Sequence, residues 1–275
     1  MTYATMTDRD AIEGEMAWEE RDLPKTTYQM LTQTAGKFGD RKSVSYQLMS
    51  DPDAKCETLT WNEFHAKSTQ TANLLRSLGV GETDVVAYLM PNATETVLTY
   101  MGGQVAGIVN PINPLLDAEQ IAAILRETNA KVLVTLRAFP KTDVAQKAAE
   151  AVAMAPNVQT VLEVDLLRYL TGIKKLIVPL IRPKVTVTHN AKVHDFVQAI
   201  AAQPETLTFE DTQEDRVCTN FHTGGTTGMP KVAQHTNSGI MYNSWVVNRV
   251  LLDETSVAMC PLPMFHVFAA VIIMG

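Results

Sequence analysis

The chain has 275 residues, 46 % of them hydrophobic, and a formal charge of −7, enough for one large domain or two smaller ones around a full core. Its acidic balance gives no electrostatic footing for nucleic acid, which calls for a basic face that neutralises phosphates. Cys56, Cys218 and Cys260 are far apart and lack CxxC spacing, so neither a disulfide framework nor a zinc site is expected, and a reducing cytoplasm fits best.

Residues 1–25 carry seven acids against three bases. They lack the basic and apolar regions of a signal peptide and read as an acidic, mobile lead-in. Residues 26–165 read as a first α/β subdomain. Thr60 with Glu63 forms a capping box, Phe64, Ala72, Leu75 and Leu78 approximate one helical stripe, and Gly79 supplies a left-handed stop. "DVVAYLM", closed by Pro91, is a continuous apolar run and reads as a buried parallel strand. A helix over about Ala93 to Ala106 follows, then a short strand in "GIVNPINP". Next come a helix capped by Asp117 and Gln120 with Ile121, Ile124 and Leu125 inward, the strand "KVLVT", an Ala-rich helix near Asp143 to Ala155, and the strand "VQTVLEV". This alternation predicts mostly parallel sheets covered by helices.

Residues 166–210 read as an insertion and connector. Within them, 166–184 carry five bases and no acid among eight large leucines and isoleucines. Two readings stay open: a peripheral contact with an anionic membrane, or a surface insertion whose apolar side packs on the domain while its lysines are solvated. Pro179 and Pro183 interrupt any long helix there. No run reaches the roughly 18 consecutive apolar residues of a spanning helix.

Residues 211–275 read as the start of a second α/β subdomain: a strand in "RVCTNFH", a glycine-rich loop, a helix capped by Asn237 or Ser238, and a strand in "SVAMCPLP". The last segment, "HVFAAVIIMG", is apolar almost to Gly275, and a longer polypeptide is the expectation.

The loop "HTGGTTGMPK", residues 222–231, concentrates the chemistry. Gly224, Gly225 and Gly228 reach backbone angles that let consecutive N–H groups converge on one anion. Thr223, Thr226 and Thr227 add hydroxyls, and Lys231 a mobile charge suited to phosphate. An ammonium about 4 Å from one phosphate charge contributes roughly 4 kcal/mol at an effective dielectric of 20, against about 1 kcal/mol net for a neutral hydrogen bond, so Lys231 dominates. Lys231 follows Pro230 and precedes Val232, which excludes the Walker loop, and the dinucleotide pattern GxGxxG is absent. Following a strand and leading to a helix, the loop lies where open α/β sheets bind ligands.

The run "FHTGGTTGMPKVA" resembles the phosphate loop of the adenylate-forming superfamily, which includes acyl-CoA synthetases, luciferases and nonribosomal adenylation domains. "LTWNEFHAKSTQTANLLRSLGVGETDVVAYLMPN" and "GGQVAGIVNPINPLLDAEQIAAILRETNAKVLV" extend the resemblance from about Thr26 to Gly275. It implies an incomplete N-terminal domain with two α/β subdomains. It also implies a ligase that joins a carboxylic acid to the α-phosphate of ATP and then passes the acyl group to coenzyme A, with Mg2+ shielding the phosphates. On this resemblance Thr223, Gly224, Gly225, Thr226, Thr227, Gly228 and Lys231 cradle the β- and γ-phosphates, and Thr226 and Thr227 meet Mg2+ through them. "PLPMFHVFA" is similar to the family's acyl-pocket segment, which makes Phe265, His266 and Phe268 the pocket residues and His266 the catalytic candidate beside the carboxylate. Taken alone, those residues also fit ordinary core around a satisfied buried histidine.

Two departures qualify the resemblance: Gly224 replaces a common serine, as in bacterial long-chain fatty acyl-CoA synthetases, and Val232 replaces a common glycine. Family members are longer, with the adenine-binding motif, the ribose-binding aspartate and a small C-terminal domain beyond this point, so weak nucleotide binding and no turnover are expected of these 275 residues alone. A fatty acid is the first expectation for the substrate. An aryl-acid ligase or adenylation domain is the alternative, as is a non-catalytic nucleotide-binding remnant. The implied partners are small molecules, the acid, ATP and coenzyme A, and the implied place is the cytoplasm, with peripheral contact on the inner face of a membrane if 166–184 docks there.

Overall fold

Capping chemistry legible in the sequence sets several helix starts in the computed structural model, which describes residues 5–223, 231–250 and 252–273. Thr5 with Asp8 caps α1 (Met6–Glu13), Thr26 caps α2 (Thr27–Phe38), and the expected Thr60–Glu63 box opens α3 (Trp61–Ser77). Gly79, at φ +84°, turns the chain out of α3 in the left-handed conformation that glycine adopts without strain. Between α2 and α3, β1 (Lys42–Gln47) and β2 (Cys56–Thr60) pair antiparallel as a two-stranded sheet that the sequence reading lacks.

The expected alternation then runs in order: β3 (Val85–Leu89), α4 (Thr94–Ala106), β4 (Ile108–Pro111), α5 (Ala118–Glu127), β5 (Ala130–Leu136), α6 (Val144–Ala153) and β6 (Thr160–Val164). α5 carries the Asp117–Gln120 capping box and buries Ile121, Ile124 and Leu125, as the spacing predicts. Further on come α7 (Gly172–Ile177), β7 (Lys192–Asp195), α8 (Phe196–Ala201), β8 (Val217–His222), β9 (Val232–Thr236) and α9 (Asn237–Val250).

Among the described residues the main sheet has seven strands in the order β7-β6-β5-β3-β4-β8-β9, every pair parallel except β8 with β9. The predicted mostly parallel α/β architecture is thus present. Across the boundary placed at residue 211 the sheet is continuous, because β8 lies beside β4. Every residue of β3 is buried, as a central parallel strand covered on both faces demands. α4 is buried along its whole length, and two adjacent glycines let it lie between neighbours. A Cβ on Gly102 would sit 2.6 Å from the Thr71 Cβ of α3, and one on Gly103 would sit 3.0 Å from Val86 of β3.

Several expectations change. The acidic lead-in, expected to be mobile, forms α1 and is held on α9, where Trp18 meets Tyr242 and Trp245 edge to face and the Arg21 guanidinium covers the Trp245 ring. "SVAMCPLP" makes no strand, and Val257 and Met259 stand in solvent; a strand exists only through a neighbouring ladder, and none of the described strands pairs with it. The 166–184 stretch divides: Leu166, Tyr169, Leu170 and Val178 pack inward while Ile173, Leu176 and Leu180 face solvent. Arg168 ties this stretch to the body through ion pairs with Glu57 of β2 and Glu95 of α4. Among the described residues no helix is long and apolar enough to cross a membrane.

Candidate functional site

β8 leaves the sheet at His222 and the chain returns antiparallel at Val232, its register partner. The Thr223 N–H donates to the Lys231 carbonyl at 2.9 Å and closes the neck between them. The glycine-rich loop therefore spans a hairpin, and the expected passage from strand through loop to helix is corrected by a five-residue strand, β9, before α9. β9 is short and gains its ladder only by pairing with β8, which no local pattern announces. Thr223 and Lys231 are exposed at the neck. Gly224, Gly225, Thr226, Thr227 and Gly228 lie outside the described residues, and the phosphate and metal roles expected of them lie there too.

β3, β4 and β8 are neighbours and mutually parallel, so their carboxyl ends open on one side of the sheet, where α/β sheets hold ligands. The neck of the loop, Thr223 and Lys231, stands at the end of β8. Beside it the His222 Nε2 lies 2.9 Å from the Asn110 Oδ1 at the end of β4. With that oxygen as acceptor, Nε2 carries the proton and Nδ1 is left as an acceptor. Burial holds the His222 imidazole below the usual histidine range, against a weaker upward pull from Glu127, so the ring is neutral near pH 7. Asn110 is fully buried. Its Nδ2 and the Nδ1 of His222 find no hydrogen-bond partner among the described residues, although buried polar atoms nearly always have one. The pair thus offers one donor and one acceptor beside the loop's neck. Sequence reasoning assigned neither residue a role. The available signal was position, since both stand at strand ends facing the ligand side.

The second motif comes to the same end of the sheet. The Asn92 amide donates to the Leu262 carbonyl at 2.8 Å and accepts from the Met264 N–H at 2.8 Å, while the Tyr88 hydroxyl donates to the Met264 carbonyl. Tyr88 belongs to β3 and Asn92 follows it, so residues 262–264 are clamped over that strand's carboxyl end. Beyond the clamp Phe265 is half-buried, His266 is exposed and Phe268 is 49 % exposed. His266 accepts at Nδ1 from the Phe268 N–H at 3.3 Å. The alternative of a buried, satisfied histidine inside core aromatics does not hold. The structure brings both motifs to one end of the sheet, with no hydrogen bond between His266 and Thr223 or Lys231 among the described residues.

Two of the acidic residues before β8, Asp211 and Asp215, are engaged elsewhere. Asp211 accepts from the Thr26 hydroxyl, and Asp215 accepts from the Ser238 N–H and hydroxyl at the start of α9. Thr236 accepts from the Gly239 N–H, so α9 is capped by Thr236 and Asp215 rather than by Asn237 or Ser238. Among the described residues no group of His, Cys, Asp or Glu is placed to hold a metal ion.

The pattern of the AMP-binding enzyme family matches residues 31–275. The chain is 30 % identical over 264 residues to a marinolic acid–CoA ligase of Pseudoalteromonas sp. (strain SANK 73390), covering 92 % of this chain and 36 % of that ligase. It is 28 % identical over 268 residues to a long-chain-fatty-acid–CoA ligase of Bacillus subtilis (strain 168), covering 93 % and 45 %. It therefore spans less than half the length of either relative. Among solved structures it is similar in fold to the anthranilate CoA ligase AuaEII in complex with anthranoyl-AMP, with a TM-score of 0.72 at 19 % identity over 93 % of this chain and 43 % of that one. The inhibitor-bound N-terminal domain of FACL13 from Mycobacterium tuberculosis is also similar, with a TM-score of 0.63 at 21 % identity over 90 % and 54 %.

Proposed function

This chain belongs to the AMP-binding enzyme family, and on that premise we propose that it supplies the ATP-gripping part of an acid–CoA ligase acting on a carboxylic acid, a fatty acid first. The observation that carries the reading is that the loop neck, Thr223 and Lys231, and the segment clamped at 262–264 stand at the carboxyl ends of β8 and β3, the two parallel strands on either side of β4. In the first step a carboxylate oxygen bonds to the α-phosphorus of ATP while the bond to the bridging oxygen breaks and pyrophosphate departs. In the second, the sulfur of coenzyme A bonds to the acyl carbon, the mixed anhydride breaks, AMP departs, and the thiol proton passes to solvent.

Within that scheme Thr223, Gly224, Gly225, Thr226, Thr227, Gly228 and Lys231 hold the β- and γ-phosphates, stabilising charge on the leaving pyrophosphate. Mg2+ would be met by Thr226 and Thr227 through those phosphates and would supply further charge neutralisation. His266 orients the carboxylate, with Phe265 and Phe268 as apolar wall. The neutral His222 and Asn110 beneath the neck position the loop. Preference for a fatty acid rests on Gly224 and on the Bacillus subtilis relative.

The test is amide hydrogen exchange of the chain with and without MgATP. Slowing over residues 223–231 is expected, and Lys231→Ala is expected to weaken it. An exposed ammonium about 4 Å from a phosphate contributes about 1 kcal/mol in water and about 4 kcal/mol at an effective dielectric of 20, which predicts at least a fivefold loss of affinity. Protection that maps away from the loop, or an unchanged affinity in Lys231→Ala, refutes the assignment.

A further inference from the structure

Ile173, Leu176, Ile177, Leu180 and Ile181 fall at positions i, i+3, i+4, i+7 and i+8, the spacing of one helical stripe. Such a stripe ordinarily faces a core. Here the five side chains are 71 %, 73 %, 43 %, 84 % and 57 % exposed, and Val178 among them is the one turned inward. α7 and the 3-10 turn that continues it, Val178–Leu180, carry their apolar face outward. The segment is nonetheless firmly held. Arg182 forms a two-oxygen pair with Asp165, the Lys55 ammonium donates to the Arg168 carbonyl, and Gln146 exchanges hydrogen bonds with Thr186.

Charge singles out the same place. Residues 166–194 hold six bases and no acid in a chain whose formal charge is −7. Arg168 and Arg182 are paired, which leaves Lys174, Lys175 and Lys184 exposed around the stripe. Interfaces between proteins concentrate aromatic residues and arginine at their centres and are poor in lysine. This stripe is wholly aliphatic and flanked by lysines, the composition of a surface that enters the headgroup region of a bilayer.

We propose that residues 172–184 dock on an anionic lipid bilayer, with Ile173, Leu176, Leu180 and Ile181 entering the boundary between headgroups and acyl chains and Lys174, Lys175 and Lys184 meeting lipid phosphates. Arg182 fastens this surface to Asp165, directly after β6 toward one edge of the sheet, whereas the neck of the glycine loop belongs to the β8–β9 hairpin at the other. Docking therefore does not depend on the ligase reading, and each can fail without the other.

The full 275-residue chain is sedimented with vesicles of phosphatidylcholine alone and with phosphatidylglycerol added. Binding is expected with the anionic vesicles, at least tenfold weaker with phosphatidylcholine alone, and diminished by salt. Leu176→Ser with Leu180→Ser, and separately Lys174→Gln with Lys175→Gln, should each lower partitioning at least tenfold while leaving the thermal midpoint unchanged, since all four side chains are exposed. Absence of binding to anionic vesicles, or variants that bind as the wild type does, overturns the proposal. So does a dimer in light scattering that Leu176→Ser with Leu180→Ser dissolves while vesicles go unbound, which would make the stripe a contact between copies.

Discussion

Replacing Arg168 with Met tests what holds the outward-facing segment to the body of the protein. The Arg168 guanidinium pairs with Glu57 and with Glu95, whose side chain is 0 % exposed and which also accepts from the Tyr169 hydroxyl at 2.8 Å. Methionine retains much of the apolar stem but leaves the Glu95 carboxylate buried with its cation removed. Breaking a buried pair from one side costs about 3–5 kcal/mol. The Arg168 side chain is 32 % exposed, so water screens its side of the pair, and the lower end, about 3 kcal/mol, is the expectation. At about 2–4 °C per kcal/mol for a chain of this size, the thermal midpoint should fall by about 6–12 °C. Urea unfolding and a thermal melt measure both quantities. Adding Glu95→Gln to Arg168→Met removes the stranded charge while keeping an acceptor for Tyr169, and should recover about half of the loss. A single variant within about 1 kcal/mol of wild type, or a double variant less stable than the single, refutes the reasoning.

Gly102→Ala tests the close approach of α4 to α3. The new Cβ would lie 2.6 Å from the Thr71 Cβ and 2.9 Å from the Ser68 carbonyl oxygen; overpacking of about 1–3 kcal/mol opposes about 1 kcal/mol gained in helix propensity, so the thermal midpoint should fall, and a rise would contradict the packing. Stability should also decline in mild acid. His65, His222 and His235 are all held below the usual histidine range by burial. A depressed folded pKa means that the unfolded chain binds more protons, so their contribution is full above the ordinary value of about 6.5 and is lost as pH falls through the lower folded values. Urea midpoints between about pH 8 and 5.5 read this window, which lies above the carboxylate range; a flat profile would show that these rings do not titrate on unfolding.

Much of the first α/β stretch was legible because its instructions are local. Thr60 with Glu63 and Asp117 with Gln120 satisfy helix N-termini within one turn. The apolar runs around Val85–Leu89 and Ala130–Leu136 mark strands covered on both faces. The spacing of the glycine loop excluded two common phosphate cradles without reference to anything distant. β1 and β2 were missed because half-exposed strands carry little apolar signal, and β9 because its partner supplies the evidence for it.

The site followed the same division. Residue types within ten consecutive positions pointed to a phosphate-binding loop, and resemblance assigned it to a family that residues 31–275 match. The pair at the loop's neck was invisible, since Asn110 and His222 stand 112 positions apart and their pairing exists only once β4 and β8 are neighbours. The clamp that carries the His266 segment to the same end spans 170 positions or more. The stripe at Ile173, Leu176, Ile177, Leu180 and Ile181 is the clearest case. Periodicity along the chain says that five side chains share a face, and it reads the same whether that face is covered or open. Only tertiary packing, with Val178 turned inward and Arg168 and Arg182 fastening the segment, decided that it points outward.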